Sequence, residues 1–192
     1  MSETEQLEQA RLLRLDSLRR NSGIHIDHRG RWWHHDTAFE HPRVIQALNH
    51  GLQWRHTEKG EVDHLSTVTH ISSDTSPNWS WSGEATIHIG GQWCYVGCDF
   101  TPFLILKIRG DQKAGTLEVL LNTGERFPLG DLSLRDEILF SRLSEDRFAR
   151  FSVSAQLQVE PWLTEDDDPS RRGELCLAYA QRRWPISIEP HE

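Results

Sequence analysis

Long apolar runs are missing from this chain of 192 residues. The longest apolar stretch, Phe103 to Ile108, falls far short of the roughly 20 residues that a bilayer-spanning helix needs. The acidic N-terminus has no hydrophobic segment of the kind that directs secretion, so a cytoplasmic location is expected. Cysteine is scarce: Cys94, Cys98 and Cys176 are an odd number, and reduced thiols are the simplest reading. Positive charge is short as well. A net charge of −8 argues against a nucleic-acid backbone or an anionic membrane as main partner, because both are held by clustered Lys and Arg. Nucleophile elbow, phosphate loop, dinucleotide fingerprint, HExxH and paired CxxC spacings are all absent, so no cofactor is expected.

What is present is aromatic and patterned. Eight tryptophans within a hydrophobic share of 36% suffice for a packed core. The stretch from Gly23 to Trp54 organises the rest. Ile24 and Ile26 alternate with His25 and Asp27, the period of a half-buried strand. His28-Arg29-Gly30 turns the chain, and Arg31 to His34 returns it as a hairpin carrying Trp32 and Trp33. Pro42 stands where a helix starts, and Val44, Ile45, Leu48 and Leu52 form one apolar helical face. Upstream, Ser2 to Arg20 reads as an amphipathic helix that docks on the domain or pairs with a partner, closed by Asn21-Ser22-Gly23.

Downstream, Val62 to Ile71 reads as a strand and Ser72 to Gly83 as a long loop bearing Trp79 and Trp81. Ala85 to Val96 repeats the first hairpin: Ile87-His88-Ile89 echoes Ile24-His25-Ile26, and Gly90-Gly91 makes the turn. Phe103 to Ile108 is a central strand, followed by strands at Leu117 to Leu121 and Arg126 to Leu129. Glu137 to Leu143 and Arg147 to Phe151 pair as a second hairpin, after which Ser152 or Ser154 caps a helix reaching Trp162. Hairpin then helix thus occurs twice, in Ile24–Trp54 and Glu137–Trp162. After a charged link at Thr164 to Arg172, Leu175 to Ile188 is either a closing hairpin or a helix and a strand.

The block from Gly30 to Leu52 resembles the opening motif of a bacterial family, domain-of-unknown-function family 1285. Gly30, Trp32, Trp33 and His34 carry the match. Asp36 takes a glycine position, a change that suits a residue tolerant of left-handed backbone. Asp99-Phe100-Thr101-Pro102-Phe103, Leu121-Asn122-Thr123-Gly124-Glu125 and Phe148-Ala149-Arg150-Phe151-Ser152 resemble later segments of the same family. The resemblance covers Gly23 to Leu163. It implies an α+β fold of two related subdomains, a role in signal transduction and no established enzyme activity.

Candidate sites follow from both readings. His25, Asp27, His28, His34, His35, Asp36 and His41 gather metal-ligand types on and beside one hairpin. His25 and Asp27 share a strand face, with one residue among Trp32 to His34 opposite, so three ligands could hold zinc and leave a position for water. Cys94 and Cys98 have equal strand parity and read as two buried thiols. Asp99, Arg147 and Arg150 are the stronger candidates: Arg150 lies among aromatics, where a guanidinium requires a carboxylate, and Asp99 can supply it or leave the arginine to a ligand.

The expected architecture is α+β, with antiparallel sheets, short helices and two related hairpin–helix subdomains. Its divisions are an N-terminal helix (1–22), a first subdomain (23–92), a second (93–163) and a C-terminal extension (164–192). The expected function is a non-enzymatic module binding a small ligand or protein partner in bacterial signalling or regulation, with Trp32, His34, Asp99 and Arg150 at the site. The alternative is a metal-dependent hydrolase using His25, Asp27, His34 and His35.

Overall fold

Eighteen residues of helix begin the chain, α1 (Glu3–Arg20). The computed structural model describes residues 3–27, 29–56, 83–98, 101–144, 147–166 and 174–188. Val62–Ile71 and the Trp79 loop lie outside them. The chain divides into two units, Met1–Phe100 and Thr101–Glu192. No helix among the described residues is long and apolar enough to cross a membrane.

In the first unit α1 is followed by β1 (Ile24–Ile26), β2 (Trp32–His34), β3 (Thr37–Ala38), α2 (Pro42–Gly51), β4 (Leu52–His56), β5 (Gly83–Ile89), β6 (Gln92–Tyr95) and β7 (Gly97–Cys98). The described strands make a four-stranded sheet, β3-β2-β1-β7, and a three-stranded one, β4-β5-β6. Both expected hairpins form. β1 pairs antiparallel with β2, and β5 with β6 across Gly90 and Gly91, whose φ of 57° and 80° suits a tight hairpin turn. α2 starts at Pro42 and is capped by the His41 ring, which accepts from the Arg43 N–H at 3.3 Å. Its inner face is narrower than expected. Leu48 and the following Leu52 are buried, while Val44 is 40% exposed.

The leucines of α1 correct the amphipathic reading. They are spread around the axis, and Leu7, Leu12, Leu13, Leu15 and Leu18 are between 38% and 68% exposed. Among the described residues Asp16, Arg19 and Arg20 hold the C-terminal part of α1 to the unit by polar and cation–π contacts. Arg20 donates to Glu84 at 2.6 Å, to Asp16 at 2.8 Å and to the Tyr95 hydroxyl at 3.1 Å, while Arg19 lies 4.1 Å from the Trp93 ring centre. Burial opposes the charge of Arg20, but the hydrogen bonds to Glu84 and Asp16 outweigh it and raise its pKa.

The second unit holds β8 (Leu104–Asp111), β9 (Thr116–Leu121), β10 (Arg126–Pro128), β11 (Leu132–Arg135), β12 (Ile138–Ser144), β13 (Arg147–Phe151), α3 (Val153–Val159), β14 (Leu163–Glu165), β15 (Leu175–Tyr179) and β16 (Arg182–Ile188). A single 3₁₀ turn, Glu160–Trp162, follows α3. All nine strands join one sheet, in the order β10-β9-β8-β13-β12-β11-β16-β15-β14. The described strands after 163 belong to this sheet, because β16 pairs with β11 and closes as a hairpin on β15. The expected division at 92/93 moves too: β6 spans it and pairs with β5, and the units part after Phe100.

The α+β class stands, with sheets of mixed direction. β1 and β7, β11 and β16, and β8 and β13 run parallel. Strands brought together across long intervening segments can be parallel, whereas tight hairpins cannot.

β13 is short, and α3 completes its place in the sheet. The strand ends at Phe151, where the Ser152 hydroxyl caps α3 by accepting from the Ala155 N–H at 3.2 Å. Beyond that point the strands flanking β13 are met by two glutamines of the helix. Gln158 accepts from the Ile108 N–H at 3.1 Å, and Gln156 accepts from the Leu139 N–H at 3.2 Å while donating to the Glu137 carbonyl at 3.3 Å. Ala155 and Val159 point inward and are buried, while Val153 and Leu157 remain 78% and 62% exposed.

Candidate functional site

Strand register decides what the first hairpin can do. His25 pairs across the strands with Trp33, and Ile24 with His34. Paired residues share a face, so His25 and His34 lie on opposite faces of the ribbon. The residue facing His25 is a tryptophan: the two rings are 6.1 Å apart and inclined by 7°. The Arg31 guanidinium lies 5.2 Å from the same indole.

Asp27 is committed to the turn. Its carboxylate accepts from the backbone N–H groups of Arg29 and Arg31, each at 2.9 Å, from Arg31 Nε at 2.8 Å and from Trp33 Nε1 at 3.1 Å. Burial pushes its pKa up, but these hydrogen bonds prevail and bring it from an ordinary 3.8 down to about 2. Four donors occupy the lone pairs that a metal would need.

His34 and His35 are exposed, with ring centres 4.5 Å apart, and Phe39 lies 6.5 Å from His34. His35, with φ 51°, is the left-handed residue of this turn, one position earlier than the Asp36 expected from the motif. His41 serves as the helix cap and His28 lies outside the described residues. Among the described residues no group of three or more His, Cys, Asp and Glu is arranged to hold a metal ion.

The echo between hairpins extends to their side chains. His88 pairs with Trp93, the rings 6.0 Å apart and inclined by 12°, with Arg19 over the indole as Arg31 is over Trp33. Register makes Trp33 the counterpart of Trp93. Trp32 is 1% exposed, and its indole N–H donates to Asn49 of α2 at 2.9 Å, which makes it a core residue. The cysteines separate likewise. Cys94 on β6 is half-buried, Cys98 on β7 is exposed, and the chain changes sheet between them, so parity does not give them a common face.

In the second unit three motif segments converge on one corner. The Asn122 side chain accepts from the Leu104 N–H at 2.9 Å and donates to the Pro102 carbonyl at 3.1 Å. The Thr101 hydroxyl donates to the Phe148 carbonyl at 2.7 Å and accepts from the Phe103 N–H at 3.2 Å. Arg147 lies 3.9 Å from the Phe103 ring centre and donates to Glu125 at 2.7 Å. Arg147 holds the Glu125 carboxyl below its ordinary pKa, helped by the Thr123 hydroxyl against the effect of burial. Arg150 is 2% exposed, and its backbone N–H donates to Phe103 at 3.1 Å. Asp99 lies outside the described residues. Sequence reasoning named Arg147 and Arg150 but missed Glu125 as a partner, although its place in the matched turn was a signal.

No protein-family model matches the chain. No curated protein sequence matches it. Solved structures do. A DUF1285 family protein from Silicibacter pomeroyi superposes with a TM-score of 0.53 at 11% identity, over 86% of this chain and 79% of that one. The chain has a DUF1285-like fold. A second DUF1285 family protein, from Shewanella baltica, aligns with a TM-score of 0.44 at 12% identity, over 69% of this chain and 86% of that one. Within this DUF1285-like fold, the segments that carried the resemblance between Thr101 and Ser152 are those tied together at the corner of the second unit.

Proposed function

We propose that the chain is a non-enzymatic cytoplasmic module that binds a small ligand or a protein partner in bacterial signalling or regulation. One observation carries the non-enzymatic part. The residues with chemical potential satisfy one another: Asp27 holds its turn, His25 stacks on Trp33, and Arg147 is paired with Glu125. A general acid–base pair or metal site needs groups that converge on a place for substrate. Of the residues singled out for binding, His34 has an exposed side chain to offer, with His35 and Phe39 beside it. Trp32 and Arg150 support from within, and Asp99 belongs to the proposal through its motif alone.

The metal-dependent hydrolase has one observation in its favour, the adjacent exposed rings of His34 and His35. Protein purified without a polyhistidine tag separates the readings. Elemental analysis is expected to find less than one equivalent of tightly bound transition metal, and native mass spectrometry a co-purified small molecule or protein. Stoichiometric zinc lost on His34→Ala would reverse the order.

A further inference from the structure

We infer that α1 is a releasable strap: its C-terminal end is latched by charge over one face of the β4-β5-β6 sheet, and the helix can leave that face while the sheet stays folded. The three described α-helices are held differently. α2 buries Leu48 and Gly51, and α3 buries Ala155 and Val159. None of the described side chains of α1 is buried. Those from Thr4 to Leu15 are exposed, and Asp16, Ser17, Arg19 and Arg20 are half-buried. Apolar packing, which supplies most of the stability of a helix in a folded domain, therefore contributes little to the hold on α1.

The latch crosses from helix to sheet. Register sets Thr86 opposite Tyr95 and His88 opposite Trp93, with Glu84 on the same side of β5. The other side of β5 carries Ala85 and Ile87 into the core, so the latched face is not the one on which the sheet depends. Arg20 donates to Glu84 and to the Tyr95 hydroxyl, that hydroxyl donates to Asp16 at 3.1 Å, and Arg19 lies over Trp93. The side chains of Arg20, Glu84 and Asp16 are 26%, 29% and 41% exposed, so water and salt reach and weaken these contacts. The pivot lies just beyond the helix. The Ser22 hydroxyl donates to the Tyr95 carbonyl at 2.9 Å, and Gly23 turns the chain with φ 71°. With Asp16, Arg19 and Arg20 undone, Ser22 still ties the chain to β6 and β1 keeps its place. A helix freed of tertiary support has little stability of its own, so release shows as lost protection along α1.

Hydrogen exchange of the full chain, read by mass spectrometry, tests this. The α1 amides are expected to exchange faster than those of β5, and faster again in added sodium chloride. Glu84→Gln keeps a neutral acceptor but removes the charge, and is expected to speed exchange of α1 by about tenfold or more while β5 and β9 are unchanged. Arg20→Gln, made on the helix instead of the sheet, is expected to do the same. Leu13→Ala is expected to leave the α1 rate as it is. Protection of α1 equal to that of β5 would overturn the proposal, because release would then require the sheet to open. So would an α1 rate indifferent to salt or to both charge substitutions, or one that Leu13→Ala raises as much as Glu84→Gln does.

Discussion

At the scale of single residues, stability rests on a few side chains with no slack. Asp27 has a folded-state pKa of about 2, below its ordinary 3.8. Its contribution is therefore complete above the unfolded value and is lost as pH falls through the folded one. Asp27→Asn should cost about 2 kcal/mol at neutral pH and flatten the acid limb of a stability-against-pH curve measured by urea unfolding. Gly130 is a steric case. A Cβ there would meet the carbonyl oxygen of Arg142, beside the register shift between Arg142 and Ser144. Gly130→Ala should lower the unfolding free energy by about 1–3 kcal/mol in chemical denaturation. Arg150 joins structure to function. Arg150 is 2% exposed; if its guanidinium is held in a buried pair with a carboxylate, Arg150→Ala should cost about 3–5 kcal/mol. An unchanged thermal midpoint would return it to a ligand-binding role.

At the scale of elements, the sequence was legible wherever local rules act alone. Pro42, Ser152 and the Gly90-Gly91 pair marked two helix starts and a hairpin, because caps and tight turns depend on neighbouring residues. Neighbours chosen across the chain were not legible. Nothing in Gly97-Cys98 announces a strand parallel to β1, nor does Leu132 to Arg135 announce its pairing with β16. The two hairpin–helix segments show the division. Each runs hairpin, helix, strand, yet β1 takes its parallel neighbour on the first strand of its hairpin and β13 on the second. The glutamines of α3 were equally hidden, since their role appears only once β13 is known to stop at Phe151. Gln158→Ala leaves the Ile108 N–H without this acceptor, and about 1–3 kcal/mol of destabilisation is expected in the same denaturation assay.

At the scale of the whole molecule, the candidate site was read in fragments. The three segments resembling family 1285 were identified separately, and only folding brings Asn122 to Pro102, Thr101 to Phe148 and Arg147 to Glu125. His34 was named for metal binding and for ligand binding; register left it exposed and removed Asp27 and His25 from its company. Long-range register is a property of the assembled sheet, so no local pattern contains it. The completion of the sheet by α3 bears also on how the second unit breathes. Where an amide is held by another strand, exchange of its proton with solvent waits for strands to part. Where it is held by the tip of a glutamine, exchange waits only for a helix of two turns to lift. Ile108 and Leu139 sit on different strands, far apart in the chain, and their acceptors both belong to α3. Their deuterium uptake should therefore share one opening, faster than that of Val119 in the same sheet, and should report the comings and goings of the helix while the sheet itself stays shut.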